Sequence, residues 1–377
     1  MDQASIEFSE LTRSQLPALH LLQNLGYTYL SPREALTLRG GRADAVLLES
    51  VLLDWLAKNN EIQYHGQRYP FSEANIHTAV QVLKETLSIG LLRTNERIFD
   101  LLSLGKSLPQ SVNGNLKSFS LRYIDWEHPE KNVYLVSEEF AVERRGSHET
   151  RRPDLVLFVN GIPFGVIECK SPDLKDPIAQ AISQQIRNQK EDEIPALFQY
   201  AQLLLAVSGN EAKYGTVGTP AKFWSVWKEE SGEFEKAVKA TVDQPLSRSQ
   251  IQALYDSFPG KHRMEAVNSL NLPRVVTAQD RAIYSLCRPE RLLELAYGFT
   301  LFDAGEKKIA RYQQYFCVKK IMRRIYERDS EGRRSGGVVW HTQGSGKSLT
   351  MVFLAKAIAL RPDIPDHKIV LVTDRVD

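Results

Sequence analysis

Two apolar runs, DLVLFV from 154 and PFGVIECK ending at 170, flank Asn160 and Gly161. No other stretch constrains the chain so strongly. Asn-Gly between such runs is the strongest short-range signal for a β-hairpin. The strands are so apolar that unpaired charges in them would be expensive, yet Asp154, Glu168 and Lys170 punctuate them and Pro153 immediately precedes the aspartate. With a simple two-residue turn, Val159 faces Ile162 and Asp154 lies opposite Ile167, on the wrong face relative to Glu168. A three-residue loop of Asn160, Gly161 and Ile162, or a β-bulge, sets Asp154 opposite Glu168 instead. One of these is expected, because the chemistry of the charged trio needs it.

Hydrolysis of a phosphodiester requires an activated water, relief of charge on the phosphoryl oxygens and a stabilised leaving alkoxide, all of which a carboxylate-held divalent metal supplies. Mg²⁺ prefers oxygen ligands and retains several waters. Asp154, Glu168 and the backbone carbonyl of Cys169 are the expected metal ligands. Strand alternation puts Lys170 on the face of Glu168 and Cys169 on the other, so Lys170 is the candidate for orienting water or offsetting phosphate charge. A bare pattern of this kind on ordinary surface carboxylates is the bland reading.

A second motif, HTQGSGKSLTM at 341–351, offers Gly344, Ser345, Gly346, Lys347 and Ser348 as a phosphate-binding loop. Glycine-rich turns at a helix N-terminus present N–H groups to phosphate. Lys347 is expected to reach the β- and γ-phosphates of ATP, and Ser348 to ligate Mg²⁺. The pattern departs from GxxxxGK[ST] at its first position, which is His341. Apolar segments GVVWH (337–341) and KIVLVTD (368–374) are predicted strands of a parallel nucleotide-binding sheet. Gln314, in RYQQY, is the candidate for a bidentate contact to the adenine edge.

The chain is read as α/β over 377 residues. Helical periodicity at 10–24, 46–58 and 73–92 is followed by strand patterns from 117, by DPIAQAISQQIRNQ as helix, and by LLLAVSG and KFWSVW as strands. The expected division is a nuclease domain at 1–242, a junction at 243–298 rich in Pro, Ser and Asn punctuation, and a nucleotide-binding segment at 299–377. A basic helix is predicted over 307–328. Net charge is +2, from 48 basic and 46 acidic residues, so DNA binding must rest on local patches. The candidates are Arg144, Arg145, Arg151 and Arg152, and Lys319, Lys320, Arg323 and Arg324. The three cysteines, Cys169, Cys287 and Cys317, are widely spaced without zinc-type histidines, which reads as reduced thiols in a cytoplasmic protein. No signal peptide or membrane span is expected.

These residues, together with NERIFDLLSLG (95–105), ARYQQYFCVKKI (310–321) and LVTDR (371–375), resemble the N-terminal part of the R (HsdR) subunit of type I restriction-modification enzymes. The resemblance implies a PD-(D/E)xK endonuclease domain followed by the start of a RecA-like, superfamily 2 ATP-dependent translocase. It implies that Asp154, Glu168 and Lys170 cut double-stranded DNA, that Lys347 and Ser348 bind ATP and Mg²⁺, and that Gln314 reads adenine. Partner modification (M) and specificity (S) subunits would recognise and methylate the target. The family often has QxxxY on the helix after the nuclease strands. Here Gln185 matches as a candidate catalytic residue, whereas Gln189 stands where tyrosine is usual. A downstream acidic Mg²⁺ motif and a second RecA-like domain are not within 377 residues, so the motor is expected to be incomplete and the chain monomeric alone. Competing readings are a repair-type nuclease-helicase and a non-catalytic DNA-binding or assembly module. The nuclease-first order argues against the former, and retention of both carboxylates and Lys170 against the latter.

Overall fold

The computed structural model describes residues 9–372 except 85–88, 258–260, 335, 343, 345, 362 and 365–366. The start of the chain, Ser345 of the phosphate loop and residues 373–375 of LVTDR therefore lie outside the described residues. The chain divides into two compact units. The first comprises residues up to Leu293 together with Phe302–Lys308, and the second Glu294–Leu301 with the residues from Ile309 onward.

The first unit is built on a mixed six-stranded sheet whose spatial order follows the chain: β1 (Thr28–Leu30), β2 (Tyr134–Glu138), β3 (Leu155–Val159), β4 (Ile162–Cys169), β5 (Leu203–Val207) and β6 (Ala212–Gly215). β1 pairs parallel with β2, and β4 with β5, while the other neighbours are antiparallel. Every residue of β2 to β5 is buried, as strands covered on both faces must be. The β4-to-β5 crossover is made by α2 (Pro177–Asn188), consistent with parallel pairing. Helix α1 (Leu16–Asn24) is preceded by a π-helical turn at Leu11–Gln15, which buries both Ser14 and Gln15.

The turn between β3 and β4 has two residues, Asn160 at φ 53° and Gly161 at φ 82°, the type I′ geometry that Asn-Gly favours. Gly161 is obligatory, since a Cβ there would meet Leu48 O at 2.5 Å. Asn160 is fully buried, donating to Tyr123 O and Asn132 Oδ1 and accepting from Val133 N–H. The three-residue loop does not form. A β-bulge between Pro163 and Gly165 leaves Phe164 as the extra residue, after which Gly165 pairs with Leu157 and Ile167 with Leu155. That shift brings Asp154 into step with Glu168.

Several sequence expectations need correction. The 73–92 helix is two, Glu73–Leu83 and Leu91–Leu104, the second capped by Gly90 at φ 85°. KFWSVW forms a short 3₁₀ turn at Ala221–Phe223 and a single bridge from Ser225 to Tyr214. Within the expected junction at 243–298 lie α3 (Arg248–Ser257), α4 (Lys261–Ser269) and, over a stretch whose sequence also reads as helix, α5 (Ala278–Cys287), with residues to Leu293 in the first unit. Side-chain bonds hold it there: Gln279 pairs with Ser14 through its side-chain oxygen and nitrogen, and Tyr27 donates to Cys287 O. Punctuation residues there cap helices; Thr277 forms a capping box with Asp280.

The tip of the 300–309 hairpin also lies in the first unit, where Lys307 is buried. Its ammonium donates to Asn95 Oδ1, Gln202 Oε1 and Ala201 O at 2.8, 2.6 and 3.2 Å. In the second unit, α6 (Tyr312–Tyr326) packs on α7 (Lys347–Ala359), with Phe299 against Tyr315 and Phe353. The predicted strands GVVWH and KIVLVTD are unpaired over their described residues, and Val338, Trp340 and Val372 are about nine-tenths exposed. Strands need hydrogen-bonded neighbours, and the second unit offers none among the described residues. No helix of the described residues is long and apolar enough to cross a membrane.

Candidate active site

Three elements converge at the C-terminal end of β4. The bulge places Asp154, just before β3, beside Glu168, and its Oδ2 accepts the Cys169 N–H at 2.6 Å. Lys170 Nζ lies 3.6 Å from the same oxygen and 3.6 Å from Glu10 Oε1, while donating to Cys169 O at 2.8 Å. Glu168 is fully buried; its Oε2 accepts Gln184 Nε2 at 2.7 Å and its Oε1 has no partner.

Burial, and then the charge of Asp154, pushes the Glu168 carboxyl well above its usual range. For Lys170, burial works against the ammonium, but Asp154, Glu168 and Glu10 outweigh it and hold the group above its ordinary value. Glu139, in a left-handed conformation at φ 47°, is pushed up to about 7 by burial, then by Asp154 and Glu138. Glu10 is also raised, chiefly by burial. Such a concentration of perturbed carboxyls marks a functional site more often than a structural one.

Among the described residues no three His, Cys, Asp or Glu side chains converge as a metal cage. A divalent ion would rest on Asp154, Glu168, the Cys169 carbonyl and water, the mixed platform that Mg²⁺ accepts. The residues fit such an ion, because the unpartnered, buried Glu168 Oε1 is an acceptor that a cation would satisfy.

Gln185, expected beside the carboxylates, turns instead to the sheet backbone and donates to Val166 O and Leu205 O. Its neighbour Gln184 makes the contact to Glu168. Gln189 bonds Gln185 O and Gly218 N–H, away from the carboxylates. Glu10, Gln15, Gln184 and Glu139 went unnoticed in the sequence. Only Gln184, one residue from the motif position, carried a signal.

The arginine patch is largely neutralised. Arg144 pairs with Glu149, Asp192 and Glu193, Arg145 with Glu191, and Arg151 with Glu193 at 2.6 Å. Arg152, exposed, is the one of the four without an ion-pair partner among the described residues. On α6, Lys319 pairs with Glu294 and Arg324 with Glu327, leaving Lys320 and Arg323 exposed.

In the second unit, Gly344 (φ 75°) and Gly346 (φ 81°) lead into α7, and Ser348 is exposed in its first turn. Lys347 Nζ donates to the loop's own His341 O at 3.1 Å and Thr342 O at 3.5 Å. This ammonium and the helix N-terminus form a donor set that fits phosphate. Both ends of the Gln314 amide are engaged: Oε1 accepts Arg311 N–H at 2.8 Å and Nε2 donates to Gly346 O at 3.1 Å. In this structure Gln314 braces the loop and presents no free edge to adenine.

Comparison with known proteins identifies the family. Residues 7–223 match the family model described as type I restriction enzyme R protein N terminus, and residues 313–377 match that of the SWI2/SNF2 ATPase. The chain is 31% identical over 372 residues to the putative type I restriction enzyme MjaIXP endonuclease subunit of Methanocaldococcus jannaschii, covering 96% of this chain and 32% of the relative. It is 28% identical over 370 residues to the type I restriction enzyme HindI endonuclease subunit of Haemophilus influenzae, covering 95% and 31%. The chain thus spans about a third of the length of these relatives. It belongs to the type I restriction enzyme R protein family, of which it is an N-terminal part.

Proposed function

We propose that the first unit is a metal-dependent endonuclease of the PD-(D/E)xK kind acting on double-stranded DNA. The observation that carries this reading is the bulge at Phe164, which aligns Asp154 with Glu168, whose buried Oε1 has no partner, while Lys170 Nζ lies 3.6 Å from Asp154 Oδ2. A bound Mg²⁺ would act as Lewis acid and activate water. Asp154, Glu168 and the Cys169 carbonyl would hold it. Gln184 orients Glu168, and Lys170 offsets charge on the phosphate or orients the attacking water. Arg152, exposed beside Glu139, would meet the DNA backbone.

The second unit, in this proposal, begins a RecA-like ATPase. Lys347, now on its loop carbonyls, would bind the β- and γ-phosphates of ATP, and Ser348 would hold Mg²⁺. In a subunit of the relatives' length, working with modification and specificity subunits, ATP-driven translocation would precede cleavage. The test is nicking of plasmid with Mg²⁺ or Mn²⁺, alongside calorimetric Mn²⁺ binding, for the wild type, Asp154→Ala and Lys170→Ala. Both variants are expected to lose nicking at least about 100-fold, the scale of an electrostatic catalytic group, and Asp154→Ala to lose Mn²⁺ binding. Variants that bind metal and nick like the wild type refute the assignment.

A further inference from the structure

The helical pair α3 and α4 delivers a charge to the nuclease sheet that the site described above does not use. Glu138, the last residue of β2, has no solvent exposure. A carboxylate so placed requires compensation. Its Oε1 accepts from the Tyr29 hydroxyl and from the Arg263 guanidinium. Arg263, on α4, is itself 6% exposed and also donates through Nε to Leu254 O at 3.0 Å. Tyr29 in turn bonds Ser257 Oγ at 2.6 Å. The other Glu138 oxygen faces Gln15 Nε2 at 3.4 Å, and that same nitrogen lies 3.5 Å from Asp154 O. One side-chain amide thus serves Glu138, the backbone of the aspartate in the candidate site and the Glu139 carboxyl. Asp154 O also accepts the Glu139 N–H at 3.0 Å, from the residue next to Glu138.

Resting on the nuclease reading, we propose that the ion pair of Arg263 with Glu138 is a positioning element of the carboxylate site: through Gln15 it fixes the backbone of Asp154, and it makes helices α3 and α4 part of the metal-binding apparatus. Removing the guanidinium leaves Glu138 a buried uncompensated charge. Gln15 is its nearest remaining amide donor, so that donor is drawn from Asp154 O. Outer partners that orient metal ligands are worth about 10–100-fold in metal affinity.

The experiment is calorimetric Mn²⁺ binding to the whole chain, with thermal melting in parallel. Arg263→Met is expected to weaken Mn²⁺ binding about tenfold or more. The charge-neutral pair Glu138→Gln with Arg263→Met restores it to within about threefold, because an amide at position 138 can accept from Gln15 Nε2 and donate to the Tyr29 oxygen, whose own proton goes to Ser257, with no charge to compensate. Gln15→Met, which leaves the ion pair in place, weakens binding comparably without lowering the melting temperature to match. Unchanged or tighter binding in Arg263→Met overturns the proposal, tighter binding being what mere loss of a nearby positive charge gives. If that variant fails to fold, Gln15→Met decides, and wild-type affinity there overturns the relay. Asp154→Ala separates the two readings: if it binds Mn²⁺ normally the nuclease assignment itself falls, whereas if it alone loses binding only the positioning role falls.

Discussion

Replacing Glu168 by glutamine should stabilise the metal-free protein while abolishing its response to metal. Glu168 is fully buried, one oxygen is bonded to Gln184 and the other has no partner. A buried polar atom left unmade costs about 1–3 kcal/mol. In Glu168→Gln the carbonyl oxygen keeps Gln184, and the new N–H faces Asp154, so about 1–3 kcal/mol should be recovered. At about 2–4 °C per kcal/mol for large domains, that is a rise of several degrees in melting temperature. The gain must also depend on pH. In the unfolded chain the carboxyl ionises near its ordinary value, about 4.3, whereas burial and Asp154 hold it well above that when folded. As pH rises from about 4 the unfolded chain releases a proton that the folded site retains. Wild-type stability is lost progressively until pH passes the folded value, while Glu168→Gln is spared. The difference should be smallest near pH 4 and grow until pH passes the folded value. Melting in EDTA across this range, then with Mn²⁺, is the assay. At a hundredfold excess over Kd the metal should stabilise the wild type by about 2.7 kcal/mol and leave the variant unmoved. A variant less stable than the wild type throughout, or equal stabilisation of both by metal, refutes the reasoning.

Gly161→Ala should cost about 2 kcal/mol or more in chemical denaturation, since it combines φ 82° with a Cβ 2.5 Å from Leu48 O. Lys307→Met should destabilise the first unit by about 1–3 kcal/mol in the same assay, because Asn95 Oδ1 and Gln202 Oε1 lose their buried donor. Gln314→Ala should weaken ATP and pyrophosphate binding by equal factors in a competition assay, as a loop brace does. A loss confined to ATP would instead assign it to the base.

The sequence carried the essentials of the site because chemistry and register constrain each other there: Asp154 and Glu168 can share a site only if one residue is inserted between them and the turn. Phe164 supplies it, although nothing in PFG distinguishes a bulge from a longer loop. Helix phase was harder to read. The Pro172–Asp176 loop, ending with Asp176 at φ 53°, sets which of two adjacent glutamines faces Glu168, and no periodicity resolves one residue. Tertiary pairing hid the fate of the arginines, since Glu191, Asp192 and Glu193 lie some forty residues downstream. Glu10 and Arg263 reach the site and its support only through folding, and their local sequence bears no mark of it. The apolar segments around the phosphate loop read as strands, but β structure is a property of pairs and their described residues have no pairing partner.

The bulged strand also carries its own clock. Cys169 lies between Glu168 and Lys170, is fully buried, and has a thiol that burial and then Asp154 hold protonated. Such a thiol does not react with alkylating agents while the strand stays closed. Its labelling therefore counts openings of the segment that bears the carboxylates, in the way amide exchange counts them for a backbone. Cys317, of intermediate exposure in the second unit, is reached without opening of that strand and supplies the internal reference. Ligands that clamp the site should slow the first rate and leave the second alone, so the protein reports occupancy of its own centre without an added probe.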